Sequence, residues 1–181
     1  MGFFWTRFSV VENIGLSFSQ FNHVPNLVYS NSDELKIGFY MPAKDVYHDT
    51  VKNALIKDGW TITHEQYKLM IGEKRLYPDL AAIRANRVNE KIILEIKSFT
   101  GKSDVKDLEQ ALGQYVLYQH VLDTIESEYD LYLAISTKIY ENLFQKEIGQ
   151  ILLTKQTLRL LVFNIKDEVI TQWIPKPTLR L

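Results

Sequence analysis

The chain has no cysteine, which excludes disulfides, iron–sulfur clusters, thiolate zinc sites and a cysteine nucleophile. Any metal it holds must sit on oxygen or imidazole. No window approaches the roughly 20 apolar residues of a membrane-spanning helix, and no basic segment followed by an apolar run and a small-residue cleavage site opens the chain. The expectation is a soluble, cytoplasmic protein with no membrane partner. Charge of one sign is also missing: 21 Lys and Arg stand against 22 Asp and Glu, a net charge of −1. A basic domain, the usual electrostatic footprint of nucleic-acid binding, is therefore absent. Any contact with DNA has to come from a local patch. There is no internal repeat, no low-complexity segment and no visible base-reading element such as a helix-turn-helix or zinc finger.

What is present suits one ordinary globular domain: 181 residues, 46% hydrophobic and 24% charged, enough to bury a core and solvate its surface. The prior is an α/β or α+β fold. Residues 1–40 differ from the rest, being rich in Phe, Ser and Asn, poor in charge and without helical or alternating periodicity. They read as an upstream extension, such as a start codon called too early would leave, with an edge strand at 35–40 as the alternative. The main domain is expected to span 41–181. In it, Asp45 is placed to cap a helix carrying Tyr47, Val51, Ala54 and Leu55 at helical spacing, which Gly59 ends. Strands are expected at 60–63, 67–71 and 75–83, with a turn at 72–74 and a polar hairpin loop at 84–90 before a strand over 91–99. Ser103 caps a long helix to about residue 125 with Leu108, Ala111, Leu112, Tyr115, Val116 and Leu122 on its apolar side. A strand at 129–136, a short helix at 138–146, an ambiguous stretch at 148–154 and a hairpin of 158–164 with 168–174 complete the pattern, and 176–181 reads as a tail.

One stretch conflicts with its surroundings. KIILEIKSF, residues 91–99, reads as a strand covered on both faces, yet Glu95 interrupts the apolar run and Lys97 follows two places on. Alternation puts Ile92, Leu94 and Ile96 on one face and Ile93, Glu95 and Lys97 on the other. Burying a lone charge costs several kcal/mol unless it is paired or bound to a metal. Pro78-Asp79 supplies a second carboxylate at the end of the adjacent strand, where a proline is tolerated because the ladder ends. Two carboxylates and a lysine make a workable Mg²⁺ or Mn²⁺ site for phosphodiester hydrolysis. Asp79, Glu95 and the main-chain carbonyl of Ile96 are the expected ligands, and Lys97 the group that orients water and offsets phosphate charge. Gln114 and Tyr118, four apart on the next helix, face the same way. The competing reading is a surface strand with an ordinary ion pair, worth at most about 1 kcal/mol. Lys44, Lys102 and Lys106 lie near enough in sequence to contact phosphates or to form a solvated face.

Pro78-Asp79, the EIK at 95–97 and Gln114 with Tyr118 resemble the PD-(D/E)XK nuclease motif and its QxxxY helix. The longer stretches AKDVYHDTVKNALIKDGWTITH at 43–64 and EIKSFTGKSDVKDLEQALGQYVLY at 95–118, with LRLLVFN and QWIP near the end, resemble the XisH family, cyanobacterial excision controlling factors of the fdxN element. The resemblance runs from residue 41 to about 175. It implies an α/β, restriction-endonuclease-like fold with a central mixed sheet flanked by helices. It also implies control of a DNA element's excision by a site-specific recombinase and a small protein partner, XisI. Carried over by position, Asp79, Glu95, Lys97, Gln114 and Tyr118 match the motif. Helix one departs: many such nucleases place a glutamate there, and here His48 and Asp49 stand instead, with no Glu between 35 and 64. Two functions are therefore open, a metal-dependent endonuclease and a non-catalytic regulator that binds XisI, recombinase or DNA through an inactive nuclease fold.

Overall fold

The structure, a computed structural model, describes residues 44–84, 90–155 and 158–177. The extension at 1–40, its alternative edge strand and the tail beyond residue 177 lie outside the described residues.

Helix α1 (His48–Lys57) buries Val51, Ala54 and Leu55, the stripe expected from its spacing. Asp45 is not its N-cap: Tyr47 holds that position, and the Asp45 carboxylate accepts the Tyr47 N–H with one oxygen and the Ser98 N–H with the other. Gly59 follows the helix at φ +84°, a conformation that glycine adopts without a Cβ penalty. Strand β1 (Trp60–Glu65) comes next, then β2 (Leu69–Ile71) and β3 (Lys74–Leu76), which form a ribbon of their own turning at Gly72. The single strand expected over 75–83 is in fact two. Tyr77-Pro78-Asp79 separates β3 from β4 (Leu80–Arg84), since Pro78 has no N–H for a ladder. Its carbonyl instead accepts from Tyr67 N–H at 2.9 Å, and that of Asp79 from Gln66 N–H at 2.7 Å.

Strand β5 (Lys91–Ile96) is the pivot of the sheet. It pairs antiparallel with β4 and parallel with β6 (Asp130–Ser136), the crossover being α2 (Asp104–Thr124). Ser103 caps α2 by accepting from Lys106 N–H. A short helix α3 (Thr137–Ile139) runs into a π-helical turn at Tyr140–Phe144, in place of the regular helix expected to 146. The ambiguous stretch is helix α4 (Glu147–Thr154). Gly149 lets it approach that turn, because an added Cβ would lie 2.3 Å from Phe144 Cα. Strands β7 (Leu160–Asn164) and β8 (Val169–Ile174) form the expected hairpin, with β7 parallel to β6.

The result is a mixed α/β arrangement with sheet order β1-β4-β5-β6-β7-β8. Each sheet face carries its own core. Ile92, Leu94 and Ile96 pack with Val51 and Leu55 of α1, and with Tyr132, Leu161 and Phe163. Ile93 lies on the other face with Leu133, Ile135 and the α2 residues Leu108, Ala111 and Tyr115. The alternation in β5 is thus what lets one strand serve two cores.

Candidate functional site

The break before β4 and the end of β5 meet at one place. Asp79 stands immediately before β4, and its Oδ2 accepts the Ile96 N–H at 2.7 Å. Glu95, 3% exposed, places Oε1 2.9 Å from the Lys97 ammonium. Its Oε2 is buried and has no hydrogen-bond partner among the described residues. Lys97 lies just past the strand, and its N–H continues the parallel ladder to the Ala134 carbonyl at 3.1 Å. The Ile96 contact that the structure fixes at Asp79 is its N–H; its side chain is buried in the opposite core.

The electrostatics arise from two carboxylates sharing one lysine in a desolvated corner. Burial raises Asp79 above its ordinary range, against the pull of the Ile96 hydrogen bond and the Lys97 charge. Burial and then the neighbouring Asp79 charge push Glu95 up to about 7, with Lys97 drawing it back. On α2, Tyr118 is 6% exposed. Its phenol is raised by burial and then by the charges of Glu95 and Asp79, which puts it within electrostatic reach of both. Gln114, one turn earlier, is beside Tyr118, and its own Oε1 is buried without a partner among the described residues. Asp79, Glu95, Lys97, Tyr118 and Gln114 therefore converge from β4, β5 and α2.

His48 is only partly in this group. It is 1% exposed on α1, close enough that its positive form favours ionisation of Asp79. Its ring nevertheless contacts other carboxylates: Nδ1 is 3.3 Å from Asp49 Oδ1 and Nε2 is 3.9 Å from Glu65 Oε2. His48, Asp49 and Glu65 are close enough together to hold an ion, but Glu65 is already held by two ammonium groups. Lys44 bonds it at 2.7 Å and Lys52 bonds its other oxygen, and together they keep its carboxyl at about 2. Lys44, for which the sequence leaves phosphate contact and a solvated face both open, pairs with Glu65, while Lys102, just before α2, and Lys106, in its first turn, are exposed. Glu65 had no signal in the sequence, because the bulge between Ile62 and His64 resets which way the end of β1 faces. A cleft of about 200 Å³ borders Lys97, with Asp45, Ser98, Thr100 and Gln110 among its walls.

An α/β sheet that gathers two carboxylates and a lysine at the end of a central strand defines a class of site. The chain itself belongs to the XisH family: the family model described as XisH protein matches residues 41–171. Two solved structures are similar over most of their length. An XisH family protein from Nostoc punctiforme PCC 73102 is 35% identical, with a TM-score of 0.65 over 71% of this chain and 98% of that one. A fdxN element excision controlling factor protein from Anabaena variabilis is 36% identical, with a TM-score of 0.66 over 72% of this chain and 99% of that one. No curated protein matches.

Proposed function

We propose that this XisH family chain acts in controlling the excision of a DNA element, by metal-dependent phosphodiester cleavage at a PD-(D/E)XK-type site. The observation that carries the reading is the buried, unpartnered Glu95 Oε2 beside Asp79, with one lysine for two carboxylates. The Anabaena variabilis relative's description as a fdxN element excision controlling factor supports the biological setting. The donor set fits Mg²⁺ or Mn²⁺, hard ions that take carboxylate and carbonyl oxygen: an orphaned buried oxygen and a carboxyl pair short of positive charge are both relieved by a cation.

Asp79 and Glu95, with the Ile96 carbonyl, would hold the ion. When bound, it supplies Lewis acidity toward the phosphate and lowers the pKa of water. Lys97 keeps its ammonium at the mouth of the site, 23% exposed and 2.9 Å from Glu95, where it can orient a water and offset phosphate charge. Tyr118 and Gln114 back the site from α2, and the phenol, raised by its surroundings, stays protonated as a donor at neutral pH.

The test is cleavage of supercoiled, linear, branched and excision-site DNA with Mg²⁺ or Mn²⁺, with and without XisI. Wild type is expected to cut or nick at least one substrate, and Lys97→Ala to lower the rate by about 10²- to 10³-fold. A wild type inert on all of them contradicts the reading. The near-neutral charge of the chain favours a second reading, a non-catalytic regulator that binds XisI, recombinase or DNA. Partner binding and excision in cells that survive both Glu95→Ala and Lys97→Ala would establish it.

A further inference from the structure

Lys97 stands in a stretch of main chain held by carboxylates on both sides. Ile96 N–H donates to Asp79 Oδ2 at 2.7 Å, and Ser98 N–H donates to Asp45 Oδ2 at 2.9 Å. Strand β5 ends at Ile96, so the Ser98 bond is no part of the ladder. It is made by a residue 53 positions earlier in the chain. The other oxygen of Asp45 accepts Tyr47 N–H at 2.9 Å, and its carbonyl accepts His48 N–H at 3.0 Å. A single side chain therefore ties the entrance of α1 to the residue after Lys97.

The need for that tie lies in the turn just beyond Ser98. Phe99 takes φ +51°, a left-handed conformation that is costly for a bulky residue and persists only where its surroundings enforce it. Two residues on, Gly101 N–H donates to Asp107 Oδ2 at 2.8 Å, and a Cβ on Gly101 would lie 2.3 Å from that carboxylate. The chain thus leaves the sheet through a strained turn between two carboxylate anchors, Asp45 at Ser98 and Asp107 at Gly101. Asp45 also lines the cleft that borders Lys97, and its charge adds to those on Asp79 and Glu95.

We infer that Asp45 is a positioning residue of this site: by gripping Ser98 and Tyr47 together it fixes where the Lys97 ammonium stands against Glu95. The inference deepens the proposed phosphodiester chemistry and rests on it for its catalytic consequence. Its geometric core can be read without any catalysis.

Two readouts on the full chain separate the cases. Competitive acylation of lysines, followed by mass spectrometry, measures how tightly Lys97 is held. Asp45→Ala is expected to label Lys97 several-fold faster than wild type with Lys91 and Lys138 unchanged, and Asp45→Asn, which keeps one acceptor oxygen, to fall between. On a cleaved DNA substrate, Asp45→Ala is expected to lower kcat by about 10- to 100-fold with little change in KM, as a misplacement of about 1 Å would. If Asp45→Ala does not fold, Asp45→Asn carries both readouts. Unchanged Lys97 labelling in a folded variant overturns the inference, whether or not the protein cleaves DNA. Faster labelling with a wild type inert on every DNA substrate upholds the positioning and removes the proposed function instead.

Discussion

The two ends of the same parallel strands carry buried charge in opposite ways. Where β6 begins and β7 is entered, Asp130 meets Arg159 at 3.0 Å, one carboxylate for one guanidinium. The guanidinium also lies 6.0 Å from the Tyr132 ring centroid. The Arg159 N–H donates to the Tyr115 hydroxyl, which donates in turn to the Leu131 carbonyl. Where β5 ends, Asp79 and Glu95 share Lys97, Asp45 adds a further negative charge, and Glu95 Oε2 has no partner among the described residues. The first cluster balances one charge of each sign and ties strands to α2, although Arg159 Nη1 also makes no hydrogen bond among the described residues. The second is short of positive charge, and it lies at the carboxyl end of the sheet, where open α/β folds bind their ligands. Burial of charge is therefore not itself the mark of a site; the uncompensated remainder is.

The difference can be broken most sharply with pH. Glu95 is raised from 4.5 to about 7 in the folded chain, so the native state holds a proton that the unfolded chain gives up. That contribution is fully present below about pH 4.5 and is lost as pH rises through 7. In EDTA, Glu95→Gln is expected to match wild type near pH 4 and to exceed its unfolding free energy at pH 8 by on the order of 3 kcal/mol. Urea unfolding at both pH values measures it. At the other end the sign reverses: Arg159→Leu should destabilise at pH 7 by about 2 kcal/mol, less than for a fully buried pair, because Arg159 is partly exposed. Thermal unfolding of that variant reads the loss. The smallest effect belongs to Glu65→Gln, which breaks solvent-exposed pairs with Lys44 and Lys52 that water already screens. Urea unfolding should show the smallest change in unfolding free energy of the three.

Much of this frame is legible from the chain. Alternation in 91–97 separates the two core faces and leaves Glu95 and Lys97 together, Pro78-Asp79 supplies the second carboxylate, and Ser103 and Gly59 mark helix ends. What stays hidden are contacts set by tertiary placement. Asp45 has the chemistry of a helix cap, and only the fold brings Ser98 to it. The strand expected over 75–83 ignores the proline within it. The stretch 148–154 is too short for periodicity to choose helix over strand. Glu65 reaches Lys44 and Lys52 only through a bulge that no residue pattern announces.

The most direct test of the uncompensated site is calorimetric titration of Mn²⁺ into wild type, Asp79→Asn and Glu95→Gln near pH 7, in two buffers of different ionisation enthalpy. Because burial and the Asp79 charge raise Glu95 to about 7, leaving it part-protonated at that pH, wild type is expected to bind with fractional proton release, and neither variant to bind comparably. Absence of binding in wild type, or affinity unchanged in both variants, would contradict it.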